Sequence, residues 1–251
     1  MTTSQSDTIL ETEQLTKSFR TVTAVNHVDF EITQGEIVGL IGPNGAGKTT
    51  FMNLITGAQL PSEGVVRFNG AEITHLPPFE RVQRGIIKKY QVTNVYENRT
   101  VWENVAQAIR GRTPHLLQTL RSLGESSVEA ETPALLAAAN LYEKRDVTVG
   151  TLSHGEKQWL EIIMALSADP DLLLLDEPTS GMGPEETAET IELLRTVQDD
   201  HPEISILVIE HDIEFIKELA ERIVVLHHGE IIADGTRDVI ENNQRVQEVY
   251  L

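Results

Sequence analysis

A chain of 251 residues that is 40% hydrophobic and 24% charged can bury a substantial core as one sizeable domain or two small ones, and its balance excludes a disordered or fibrous protein. With 39 acidic against 20 basic residues the net charge is -19, which opposes partnership with nucleic acid or anionic lipid, since both reward clustered Lys and Arg. Cysteine is absent, so disulfides, thiolate metal sites and cysteine nucleophiles are excluded.

Residues 1–7 are polar and lack the basic and apolar blocks of a secretory signal. No apolar run approaches the roughly 18 to 20 residues needed to span a bilayer, and the expectation is a chain that does not cross a membrane alone. Val28, Phe30 and Ile32 alternate with polar residues as in a half-buried strand, and 65–68, Asn69-Gly70, 71–73 reads as a hairpin. The beginning is therefore expected to be antiparallel and β-rich.

The short apolar run Ile37, Val38, Leu40, Ile41 ends in a glycine-rich turn, as expected of a buried parallel strand leading into a helix. A second such run is 172–175 and a third is 204–209. Between the first two, helical periodicity dominates, at 101–109, 133–141 and 159–166, with 111–132 the least regular part. The expected fold is α/β: one domain over 1–251, in which 1–91 and 169–251 form the core with its β portion and 92–168 form an inserted helical subdomain.

Gly42-Pro43-Asn44-Gly45-Ala46-Gly47-Lys48-Thr49 fits the phosphate-loop pattern, Gly, four residues, then Gly-Lys-Ser/Thr, between a strand and a helix. Backbone N–H groups of such a turn wrap phosphates, glycine permits the open dihedrals and close approach, and the following helix presents its positive dipole end. Lys48 would reach the β- and γ-phosphates of a nucleotide and Thr49 would coordinate Mg²⁺, with the adjacent Thr50 counted among the expected nucleotide-binding residues. The glycine spacing does not fit a dinucleotide fold.

The run 172–175 is followed by Asp176 and Glu177 at the carboxyl end of a strand, where α/β sheets place ligand chemistry. Asp176 would hold Mg²⁺, directly or through water, and Glu177 would polarise the attacking water. His211 ends the third apolar run and could reach the same crevice. Leu152-Ser153-His154-Gly155-Glu156 opens a helix, with Ser153 and Glu156 spaced as a capping box.

That last segment resembles the signature motif of ABC ATPases, Leu-Ser-Gly-Gly-Gln, and the resemblance extends from about residue 9 to the end of the chain. It implies a P-loop ATPase core with an N-terminal antiparallel β subdomain and a helical insert, working as a dimer. Each signature helix would cap the nucleotide of the opposite subunit, with Ser153 and Gly155 facing the γ-phosphate. Phe19 matches the aromatic that stacks on adenine, and Gln91 the glutamine that senses Mg²⁺ and the γ-phosphate. His154 and Glu156 depart from the usual Gly and Gln, and Ser180-Gly181-Met182-Gly183 lacks the usual Asp, which puts communication between the two sites in question.

The stretches 95–104, 153–162 and 209–212 are similar to ATPases of branched-chain amino acid and urea importers, which implies permease subunits in the membrane and, indirectly, a solute-binding protein. Arg99 and Trp102 are candidate permease contacts. A P-loop kinase would have no use for the segment 152–156. A lipid-export ATPase or the ATPase of a soluble assembly complex stays open as the alternative.

Overall fold

The computed structural model describes residues 8–89, 95–111 and 123–250. Two sheets organise them. The smaller is antiparallel: β1 (Thr8–Phe19), β2 (Val22–Thr33), β4 (Glu63–Phe68) and β5 (Ala71–Glu72), in the order β2-β1-β4-β5. Leu10 sits opposite Ile32 on one side and Phe68 on the other. The alternation at Val28, Phe30 and Ile32 and the hairpin around Asn69-Gly70 form as expected, with Asn69 and Gly70 both at positive φ, as a tight hairpin demands.

The larger sheet holds β3 (Ile37–Ile41), β6 (Ile86–Lys89), β7 (Leu172–Asp176), β8 (Ser205–Ile209), β9 (Arg222–His227) and β10 (Glu230–Gly235), ordered β10-β9-β3-β8-β7-β6. All pairs are parallel except β10 against β9. Every residue of β3, β7 and β8 is buried, which is what continuous apolar runs mean when both faces of a parallel sheet are covered.

The two-residue period of a strand divides those side chains between two cores. Val38, Leu40, Leu172, Leu174, Leu207 and Ile209 face a core shared with the small sheet and α1 (Lys48–Thr56), where Phe51 meets Phe30 edge-on at 5.3 Å between ring centroids. Ile37, Ile41, Leu173, Leu175, Ile206 and Val208 face the opposite core. That core is closed by α3 (Val101–Gly111), α4 (Leu123–Ala138), α5 (His154–Leu166), α6 (Pro184–Asp200) and α7 (Ile213–Leu219). The chain ends in α8 (Arg237–Glu241) and α9 (Gln244–Tyr250).

The structure departs from the sequence reading at two places. The run 172–175 is not the second parallel strand, because the four-residue β6 precedes it and pairs with it; at that length, ending in two lysines, β6 carries no strand signature of its own. The helix expected over 133–141 is α4, which starts at Leu123 and carries Pro133 in its interior, where a proline ordinarily marks a first turn.

Arg81, in α2 (Pro78–Gln83), is fully buried and anchors the helix that follows the phosphate loop. Its guanidinium donates to Leu54 O and Ile55 O, both at 2.7 Å, to Thr74 O at 2.8 Å and to Leu76 O at 3.0 Å. Leu54 and Ile55 supply last-turn carbonyls of α1, of which Leu54 O is met by the backbone only through the Gly57 N–H at 3.4 Å, so a cation there satisfies them and complements the negative end of the helix dipole. Burial lowers the Arg81 pKa to about 10. Arg81→Met removes the guanidinium donor from these carbonyls, and the expected cost is about 3 kcal/mol. A urea titration would register it as a midpoint lower by about 1 M at unchanged slope; a midpoint at the wild-type position would show the anchor to be dispensable.

Candidate functional site

The loop 42–47 joins β3 to α1 and is crowded by backbone carbonyls at both of its ends. A Cβ at Gly42 would lie 2.2 Å from Leu226 O, and one at Gly47, which has φ 108°, would lie 2.2 Å from Ala24 O. Only glycine fits either place. Gly47 caps α1 without a side-chain bond, and the first turn of α1 carries no acid, so its amide ends are left facing outward as an anion site requires. Asn44, Gly45 and Thr49 are exposed, Pro43 and Thr50 half-buried, and Ala46 buried beneath the loop.

Lys48 is buried at the start of α1, and its ammonium curls over the loop to Gly42 O at 2.5 Å and Pro43 O at 3.2 Å. Burial lowers its pKa from the ordinary lysine value, opposed by the nearby carboxylates of Glu177, Asp176 and Glu210. The structure thus brings Lys48 together with acids that lie 128 to 162 positions further along the chain.

Those acids stand at the ends of β7 and β8. Asp176 is opposite Ile209 in the ladder and its buried carboxylate pairs with Lys88 Nζ at 3.1 Å. Glu177 turns the chain out of the strand at φ 48°, a left-handed conformation that is uncommon outside glycine, Asn and Asp and that costs free energy. Its N–H donates to Ile209 O at 2.8 Å, holding the turn against β8. His211 follows one residue beyond the fully buried Glu210, with its exposed ring carrying Nδ1 3.4 Å from Glu210 Oε2. Asp212 then caps α7 through Glu214 and Phe215 N–H groups.

Ser153 forms the expected capping box: its Oγ accepts from Glu156 N at 3.2 Å, and Glu156 Oε2 accepts from Ser153 N at 2.9 Å. The exposed Oγ keeps its own proton free to donate elsewhere. Gly155 is buried against the Glu186 side chain of α6. His154 Nε2 lies 3.0 Å from Ser180 O, tying the tip of α5 to the loop after the acids. These contacts run to α5 and to the 180–186 segment, not to the phosphate loop of the same chain. Phe19 ends β1 as an exposed ring with Lys17 Nζ 5.2 Å from its centroid. Gln91 lies outside the described residues. Arg99 is exposed and bonds Glu103, while Trp102 packs partly against the helical core.

Several contributors were not found from the sequence. Lys89, buried in β6, bonds Gln158 and lies 3.4 Å from Glu161 Oε2, which seats α5 on the sheet. Burial lowers the Lys89 pKa, opposed first by Glu161. The signal available was the pair Lys88-Lys89 closing an apolar dipeptide in a lysine-poor chain, but solvated lysine pairs are far commoner than buried ones.

A family model described as ABC transporter matches residues 25–180, well over half of the chain. The high-affinity branched-chain amino acid transport ATP-binding protein BraF of Pseudomonas aeruginosa is 34% identical over 249 residues, 97% of each chain. The lipopolysaccharide export system ATP-binding protein LptB of Haemophilus influenzae is 32% identical over 243 residues, again 97% of each. Among solved structures, the ADP conformation of MJ1267, an ATP-binding cassette of an ABC transporter, superposes with a TM-score of 0.83 at 29% identity, covering 97% of this chain and 98% of that one. On the matched domain, the near full-length identity and the shared fold, this chain belongs to the ABC transporter ATP-binding family.

Proposed function

We propose that this chain is the ATP-hydrolysing subunit of an importer for branched-chain amino acids, urea or a similar small polar solute. The observation that carries the reading is the gathering of Lys48, Asp176, Glu177 and Glu210 with His211 at the carboxyl edge of one parallel sheet, in a chain 34% identical to a branched-chain amino acid transport ATP-binding protein. No helix among the described residues is long and apolar enough to cross a membrane. The reading therefore assigns the membrane path to separate permease subunits and places this chain peripherally on the cytoplasmic face. A solute-binding protein acts at one remove, and the 92–168 helical subdomain faces the permease.

In this mechanism the 42–47 loop and the N-terminus of α1 wrap the triphosphate of ATP, with Thr50 at its edge, and Phe19 stacks on adenine. Lys48 exchanges its loop carbonyls for the β- and γ-phosphate oxygens. The nearby carboxylates of Glu177, Asp176 and Glu210 oppose the lowering of its pKa by burial and so favour its charged form. Glu177 polarises the attacking water while His211 and Gln91 position it. The Thr49 hydroxyl and the Asp176 carboxylate are hard oxygen donors that suit Mg²⁺, an ion that takes one or two protein ligands and completes its shell with phosphates and water. When bound, Mg²⁺ would neutralise charge on the triphosphate.

Ser153 and Gly155 act in trans. Their local contacts leave the helix tip and the Ser153 hydroxyl proton for the γ-phosphate held by a second cassette, another copy or a related subunit. Closure of the pair on two ATP molecules drives the permeases, and hydrolysis reopens it. The likeness to LptB supports a lipid-export ATPase as the alternative. Reconstitution with the cognate permeases and solute-binding protein, scored for ATP-dependent uptake of leucine or urea, tests the importer reading; ATP-dependent extraction of lipid instead would replace it.

Glu177→Gln is expected to bind a fluorescent ATP analogue as wild type does and to lose about a hundredfold or more in phosphate release; wild-type turnover would remove Glu177 from its role. Ser153→Ala and Glu156→Ala each lose half of the capping box and about 1 kcal/mol of stability. Only Ser153→Ala is expected to lower turnover as well, and equal turnover in the two variants would confine Ser153 to capping.

A further inference from the structure

We propose that Glu210 is the positioning residue of the hydrolytic site, a single buried carboxylate that holds the Glu177 turn with one oxygen and aims His211 with the other. This rests on the assignment of Glu177 and His211 to hydrolysis. Glu210 has no exposed surface, and burying a carboxylate is costly unless its lone pairs are satisfied. They are. Oε1 accepts from Thr179 N at 2.9 Å and from Thr179 Oγ1 at 2.6 Å. Oε2 accepts from His211 N at 3.2 Å and lies 3.4 Å from His211 Nδ1.

Thr179 is two residues beyond Glu177. The left-handed Glu177 would relax to an ordinary strand or helix geometry if the chain on either side of it were free. It is held at its own N–H by Ile209 O and, two residues on, by the paired Thr179 bonds to Glu210. Both anchors belong to the end of β8. On the other side, with Nδ1 toward Glu210 the exposed ring leaves Nε2 on its far side, away from that carboxylate.

A hydroxyl or an amide at 210 could not serve both chains. A hydroxyl has one oxygen, and an amide presents one acceptor and one donor, whereas Thr179 and His211 both offer donors. The positive charges that offset Glu210 are Lys48, over the phosphate loop, and Lys89, beneath α5; the ammonium of each feels its carboxylate. The hydrogen bonds of Glu210 run to Thr179 and His211, not to the phosphate loop or the signature helix, and the expected consequence of disturbing it is a loss of turnover with binding intact.

Glu210→Gln is the test, because it keeps the shape and one acceptor while placing an NH₂ against one donor set. Binding of a fluorescent ATP analogue is expected to stay within about twofold of wild type and kcat to fall about tenfold or more. In a His211→Ala background the same change should cost markedly less, since part of its effect passes through His211. A kcat within twofold of wild type, or losses that multiply in the double variant, overturns the proposal, as does a loss confined to nucleotide affinity. If Glu210→Gln binds no nucleotide, Thr179→Val removes the 2.6 Å bond from the other partner: a kcat-selective loss supports the proposal and wild-type turnover overturns it. Wild-type protein that hydrolyses no ATP would instead fail the hydrolysis reading itself.

Discussion

The parallel pairing of β3, β8 and β7 is the constraint on which the rest depends. Because all three run the same way, their carboxyl ends reach one edge together, delivering the phosphate loop, the Glu210-His211 pair and the Asp176-Glu177 pair to a single crevice. A shift of one residue between β7 and β8 would exchange every side chain between the two cores and move Glu177 off the Ile209 carbonyl that holds it. Packing on both faces of the sheet therefore sets the register, and the register sets the chemistry.

Around that edge the chain concentrates charge that a soluble core normally excludes. Lys48, Lys89, Asp176, Glu161 and Glu210 are buried, Lys88 is half-buried beside Asp176, and the signs are interleaved. Such pairs contribute little net stability compared with apolar packing, yet breaking one leaves a charge uncompensated. Their effect is to fix orientation: Lys88 holds Asp176 and Lys89 seats α5. Arg81 does the same for the far end of α1, the helix that follows the phosphate loop.

The departures in the signature segment acquire a physical sense in the folded chain. Glu156 caps α5 as glutamine would, and its carboxylate also pairs with Lys144. His154 reaches across to Ser180 O, a contact that glycine at that position could not make. The loop that lacks the family's aspartate is thus bonded directly to the signature helix of its own subunit. That bond joins the tip of α5 to the segment following Asp176 and Glu177 without a charged group in the loop.

Much of this was legible in the order of residues. Continuous apolar runs identify β3, β7 and β8 because a strand covered on both faces has no room for polar groups, and glycines before Lys48 identify the phosphate loop because no side chain fits there. Ser153 and Glu156 identify the start of α5 because capping is local, complete within four residues. These features are short-range, and short-range physics is written in adjacent letters. What only the tertiary structure decided is which distant groups meet: that the four-residue β6 joins the sheet, that Lys89 is buried and Lys88 pairs with Asp176, that Thr179 and His211 share one carboxylate. A lysine or glutamate reads the same whether water or a partner 30 to 90 residues away satisfies it, because burial and pairing are properties of the packed chain and not of the residue.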